Sequence, residues 1–307
     1  MMTTPGASRP KRKEGSKRAG IRDSSLTRRK KEGERLKTRG LSRAGFGVWL
    51  SAAILAVCAF WVVFPGAGGS GALMQDIMSG SLAPGTDGHI LGTDTLGRDV
   101  LKITIAGTRS ALIGPVAIAS GSIILGILLG FIAGWFGGIT DWIISRYADL
   151  TLSMPSLLLA IVAAGVIGGG YWVSVLVLIV LYSPFDIRIV RSAVIAERGK
   201  PYIESALVQG MRTPRVLFLH IFPNVAIIIF VNFFLNIGYA IVSMSSLSYL
   251  GLGVSPQSAD WGRQLSDGRE MLFTNPAAIL APGLAIIITA TAVNIVGNYL
   301  AERKSGI

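Results

Sequence analysis

Long uncharged stretches alternate with polar ones along this chain, and their lengths predict its elements. Phe46 to Phe64 is uncharged and about as long as the roughly 20 residues a helix needs to cross a hydrocarbon core. Pro65 to Ser110 is polar and rich in Gly, which predicts a loop. Ala111 to Trp135 predicts a second helix. Charge is absent again from Asn224 to Ala259 and from Met271 to Ala301, predicting helices near 225–247 and 277–299. Between Asp149 and Asp186 lie 36 uncharged residues, interrupted by Gly168, Gly169 and Gly170. Two crossings need about 40 residues plus a turn. The third helix is therefore expected to start before Asp149, with Arg146 and Asp149 in its first turns and spaced to pair on one face. These two read either as interfacial anchors or as groups on a substrate path. Pro155 is expected to kink this helix or to mark its depth, and the fourth runs from about Trp172 to Ser183.

Composition supports a membrane solvent. Half of the 307 residues are hydrophobic and only 15% are charged, against roughly 25% in soluble proteins. Fifteen of the 29 Lys and Arg lie in residues 1–43, so the rest of the chain is poorer still in charge. That segment has almost no large apolar residues and is expected to be a disordered basic tail. The net charge of +12 is compatible with nucleic acid. An apolar helix follows the basic segment at once, however, so the reading adopted is a solvated tail that touches anionic headgroups, with membrane lipid as partner and no nucleic acid. More than forty residues precede the first apolar run, unlike a signal peptide, so residues 44–65 are expected to be an uncleaved first transmembrane helix. Cys58 alone supports no disulfide.

Six helices place both termini on one side. With the N-terminus inside, the tail, segment 184–223 and the C-terminus carry 15, 6 and 2 Lys or Arg, against 3 and 2 in segments 66–110 and 248–276. This asymmetry predicts cytoplasmic termini. The expected order is a tail (1–43), a first helix (44–65), an extracytoplasmic loop (66–110) and a core domain (111–302) with a cytoplasmic loop at 184–223.

That loop holds the most informative pattern. Pro201 suits the first position of a helix, and Glu204 then falls in its first turn, where its charge complements the dipole. Ile203, Leu207 and Met211 form an apolar stripe beside the small Ala206 and Gly210. Thr213 and Pro214 read as N-cap and first position of a second short helix ending near Pro223. Such a pair is either a docking element for a partner or an ordinary interfacial amphipathic pair.

Read together, Glu204-Ser205-Ala206, Gly210 and Ile221-Phe222-Pro223 resemble the Glu-Ala-Ala…Gly…Ile-x-x-Pro-like signature of bacterial ABC importer permeases. His89-Ile90-Leu91-Gly92-Thr93-Asp94-Thr95-Leu96-Gly97-Arg98-Asp99-Val100 is similar to the signature of the C-type permease of dipeptide, oligopeptide and nickel importers. Ser248 to Val254 with Trp261-Gly262, Arg188 with Arg191, and His220 with Pro223-Asn224 resemble further stretches of that family. The resemblance covers about residues 44–300 and implies an all-α integral membrane protein with six transmembrane helices in the ABC importer type I permease fold. It further implies a bacterial cytoplasmic membrane location and a loop that seats in an ATPase subunit through Glu204, Ser205, Ala206, Gly210 and Pro223. The implied partners are a second, B-type permease, ABC ATPase subunits and an extracytoplasmic substrate-binding protein. Peptides are the implied cargo, with nickel or another small solute as alternative. The chain departs from the family in its longer tail, in Ser205 and Phe222, and at Gly297-Asn298-Tyr299-Leu300-Ala301-Glu302.

The stretch Gly92, Thr93, Asp94, Gly97, Arg98 and Asp99 reads either as an outer rim that meets a binding protein or as a turn held by Asp–Arg pairing. Gly126, Gly130, Gly134 and Gly138 repeat every four residues, a spacing that lets helices pack closely. No phosphate loop is present, since Gly199-Lys200 precedes Pro201 without the upstream glycine, so ATP is expected on partner subunits and no cofactor on this chain. His89 and His220 fall on opposite sides without Cys nearby, which argues against a metal centre. No nucleophile elbow or His-Glu-x-x-His occurs, so no catalytic residues are assigned. An ion-gradient transporter would need buried ionisable groups, for which Arg146 and Asp149 are the candidates.

Overall fold

The computed structural model describes residues 45–255 and 257–305; the expected disordered tail lies outside them. The chain divides into two units, Met1–Trp49 and Leu50–Ile307. Of the first, residues 45–49 are described and are helical. Among the described residues, five helices are long and apolar enough to cross a membrane. They are α1 (Gly45–Val63), α2 (Val100–Phe136), α5 (Tyr171–Arg198), α7 (Thr213–Tyr249) and α9 (Ala277–Ser305). α3 (Gly138–Leu152) and α4 (Ser156–Ile167), bent by 90° at the break between them, make a sixth if the pair is counted as one span. Two short helices join them: α6 (Pro201–Val208) and α8 (Trp261–Gly268). α2 and α5 make the most extensive contact, and α7 and α9 pack around them.

Several boundaries differ from those the charge pattern predicts. α2 starts at Val100, eleven residues before Ala111, because the Asp99 side chain accepts the Lys102 amide and caps it. Lys102 and Arg109 interrupt the apolar run, yet both lie on its exposed side. The third helix is broken. Ser153 ends α3 and Pro155, which has no N–H, precedes α4. Arg146 and Asp149 therefore close α3 rather than open a span, and they do not pair. Asp149 binds Arg188 on α5, while the Arg146 guanidinium lies 5.7 Å from the Trp142 ring centroid.

Proline explains the next two corrections. The fourth helix does not stop at Ser183 but runs through Pro184 to Arg198. Pro184 cannot donate to the Val180 carbonyl, which instead accepts from the Tyr147 hydroxyl at 2.8 Å and the Ser183 hydroxyl at 2.9 Å. The tilted α3 supplies Tyr147, so the break in one helix repairs the other. Pro223 likewise ends nothing. A π turn over Leu217–Ile221 precedes it, with the Phe222 amide donating to Leu217 O, and the helix continues to Tyr249. Arg212, not Thr213, is the N-cap. The expected 184–223 loop shrinks to residues 199–212.

Candidate functional site

One end of the bundle carries α6. Its sequence builds a rigid knob. Pro201 occupies the first turn and Glu204 sits exposed beside it. Gly210, at φ +80°, closes the helix: its amide donates to Leu207 O at 2.9 Å and that of Met211 to Ala206 O at 3.1 Å. This is the paired bonding that a left-handed residue after a helix makes possible. No atom lies within 4 Å of a Cβ placed on Gly210, so conformation rather than space demands glycine there.

The inner face of α6 is fused to the spanning helices. Ile203 and Ala206 are buried in one cluster with Trp135 of α2, Val190 and Val194 of α5, and Val216, Ile221 and Val225 of α7. A polar latch ties the same elements. Tyr202 donates to Glu197 at 2.7 Å, Asn224 donates to Tyr202 at 2.9 Å, and Lys200 pairs with Glu197. Burial, then the hydrogen bond and charge of Glu197, raise the Tyr202 phenol above its ordinary 10.0. Arg198 donates to the Trp135 carbonyl at 2.6 Å. The outer face stays open: Val208 is 89% exposed, and Glu204, Ser205 and Leu207 lie exposed beside it. Of the expected coupling residues, Glu204, Ser205, Ala206 and Gly210 are gathered here. Pro223 lies one helix away, at the start of the regular part of α7.

Above this knob, α2 and α5 meet through glycines. A Cβ on Gly126 would lie 2.4 Å from Asp186 Cβ, one on Gly130 2.8 Å from Val190 Cβ, and one on Gly134 2.9 Å from Val194 Cβ. Gly138 stands outside this seam, at φ +58° with no atom within 4 Å of such a Cβ. Gly126 opens onto a polar cluster absent from the charge-pattern reading. Asp186 is fully buried and accepts from Asn232 and, at 2.8 and 3.0 Å, from Asn236. Asp186 is thus a deeply buried ionisable group of the spanning helices, whereas Arg146 and Asp149 are not buried. The position of Asp186 at the edge of an apolar run concealed it.

At the opposite end, the Gly92–Asp99 stretch is folded into a knot. Thr93, Asp94 and Arg98 are buried, and Arg98 Nε donates to Asp94 Oδ2 at 2.6 Å. Arg98 also reaches Asp267 at 3.4 Å, tying the loop to α8. Cβ atoms on Gly92 and Gly97 would lie 2.3 Å from Leu82 O and 1.7 Å from Asp76 O. Asn275, missed in the sequence, is fully buried and donates to the Leu82, Leu91 and Thr93 carbonyls. The turn reading describes these contacts; Thr95 and Leu96 stay exposed.

Asp99 yields a pH-dependent test. Burial acts to raise its carboxyl, but His89, whose Nδ1 lies 2.7 Å away, and the Lys102 amide outweigh it and hold the pKa below the ordinary 3.8. A depressed pKa contributes stability above the ordinary value and loses it as pH falls through the folded one. Asp99→Ala is expected to cost about 1 kcal/mol at neutral pH, the size of a lost N-cap. In thermal melts the gap to wild type should close below pH 3.8; a gap unchanged at pH 3 or so contradicts this.

Residues 126–306 match the protein family described as binding-protein-dependent transport system inner membrane component. The dipeptide transport system permease protein DppC of Alkalihalophilus pseudofirmus is 36% identical over 214 residues, 70% of each chain. The glutathione transport system permease protein GsiD of Pectobacterium atrosepticum is 35% identical over 70% of this chain and 71% of its own. The di/tripeptide transport system permease protein DppC of Pseudomonas aeruginosa is 33% identical over 69% and 70%. With spanning helices built around a buried seam and a fused knob at one end, the chain belongs to the binding-protein-dependent inner membrane components, as a multi-pass ABC importer permease of the C type.

Proposed function

We propose that this permease forms one half of a peptide importer's translocation path and that α6 is the handle by which ATPase subunits move it. A second, B-type permease completes the path, an extracytoplasmic protein delivers the cargo, and both termini and α6 face the cytoplasm. The carrying observation is the attachment of α6: its buried Ile203 and Ala206 share one core with α2, α5 and α7. A force on α6 therefore reaches three spanning helices as a rigid-body displacement. The exposed Val208, Leu207 and Glu204 supply an apolar tip with a charged shoulder for a groove on the partner. Peptide cargo is supported by the names of the relatives, and the cytoplasmic orientation by the basic-residue asymmetry.

The test uses the assembled importer in vesicles. Uptake of a dipeptide should require ATP and survive collapse of the proton gradient. Glu204→Arg should leave the permease folded and lower uptake about tenfold or more, as loss of one interface anchor does. Gly210→Ala should show an intermediate loss, because a side chain at φ +80° costs about 1 kcal/mol. Uptake that ignores ATP and follows the proton gradient would replace this reading with an ion-coupled one.

A further inference from the structure

Beside the knot, at the end opposite α6, a cavity of about 630 Å³ opens between α2, the start of α5 and residues 254–255 and 257–259. That volume falls within the roughly 300–1,000 Å³ of small-molecule sites. Arg109, Ser110, Tyr171, Trp172, Gln257 and Ser258 are among its lining residues. Its frame is fixed: the Tyr171 hydroxyl donates to Ser110 O at 2.6 Å, and the Ser110 hydroxyl donates to Ala259 O at 2.9 Å. Two groups on its wall are uncommitted. Arg109 and Gln257 are exposed, and neither side chain makes a hydrogen bond or ion pair among the described residues. The neighbouring Arg98 and Arg263, by contrast, both reach Asp267.

Arg109 lies nine residues into α2, about 14 Å from its start. α2 spans about 55 Å at its 37 residues, so this depth is close to the edge of a hydrocarbon core of about 30 Å. An unpaired arginine at that depth serves either as a headgroup anchor or at a functional site, and the polar wall that Arg109 shares with Gln257 and Ser258 favours the second. Resting on the peptide-importer reading, we propose that Arg109 binds the terminal carboxylate of the incoming peptide. Its planar fork matches a carboxylate with two parallel hydrogen bonds. Gln257 offers a donor and an acceptor to a peptide amide. The exposed indole of Trp172 supplies an apolar wall for a side chain.

The test measures uptake of alanyl-alanine and of its C-terminal amide by the reconstituted complete importer, at subsaturating loaded binding protein. Wild type is compared with Arg109→Lys, Arg109→Gln and Arg109→Glu, each rate normalised to assembled complex. The expected order for the free acid is wild type, Lys, Gln, Glu, with Arg109→Gln down about tenfold, the scale of a charge-assisted pair. The amide should be nearly indifferent to the Gln substitution. Equal rates for Gln and Glu, or an equal loss for acid and amide, overturn the assignment. So does loss of the copurifying second permease, which would make Arg109 an interchain ion-pair partner. A defect seen only in vesicles with anionic lipid also overturns it, since that marks a headgroup anchor. Wild type importing neither probe sinks the peptide reading itself, and this assignment with it.

Discussion

Gly130→Leu is expected to leave almost no folded permease. The first atom of any side chain at Gly130 would lie 2.8 Å from Val190 Cβ and 3.1 Å from the Arg191 amide nitrogen. These neighbours are backbone or branch-point atoms and cannot swing aside. Overpacking a core costs about 1–3 kcal/mol and more where nothing yields. Here α2 and α5 would have to separate along the seam that Gly126 and Gly134 also hold closed. Even Gly126→Ala, with its Cβ 2.4 Å from Asp186 Cβ, should cost at the upper end of that range, about 3 kcal/mol. Gly165 on α4 is the control. It has no atom within 4 Å of an added Cβ and no positive φ, so Gly165→Ala should be neutral or stabilise by about 0.5–1 kcal/mol. Size-exclusion profiles and melts of detergent-solubilised protein read all three. A sharp wild-type profile for Gly130→Leu would refute the packing role.

The second large effect is expected at Asp186. Asp186→Leu keeps much of the volume but removes the acceptor of the Asn232 and Asn236 amides, both buried. A buried amide left without a partner costs about 1–3 kcal/mol. Asn232 loses its acceptor outright and Asn236 keeps a 3.5 Å contact to Ser122 Oγ, so up to about 6 kcal/mol is expected for the pair. Exchanging all three residues for leucine should recover most of the loss, because removing both sides of a buried polar contact is nearly neutral. The triple variant also separates mechanisms. If Asp186 holds helices together, the repacked protein folds and retains ATP-dependent uptake. If the carboxylate carries a coupling ion, the protein folds and uptake is lost.

Local patterns were legible wherever one chemistry acts alone. Apolar length placed the five long crossings, Pro201 and Gly210 bounded α6, and the four-residue glycine spacing marked the seam of α2. Charge misled wherever a neighbour satisfies it. Lys102 and Arg109 hide the first turns of α2, and Asp186 looks like the end of an apolar run. Proline misled for the same reason. Pro184 and Pro223 look like helix ends because each lacks an N–H, and only a hydroxyl from α3 or a π turn shows that the helix survives.

The amino-acid sequence alone thus determined that the chain lives in lipid, where its long apolar helices lie, and where a short helix interrupts them. These follow from length, periodicity and backbone stereochemistry, which act within a few turns of chain. Tertiary structure decided the 90° break between α3 and α4, the burial of the Gly92–Asp99 knot, the Asp186 cluster and the unpaired Arg109 beside its cavity. Each depends on whether a polar group finds its partner tens or hundreds of residues away, as Arg98 finds Asp267 and Asn275 finds Leu82. A buried polar atom must be paired somewhere, but only the packed helices settle where.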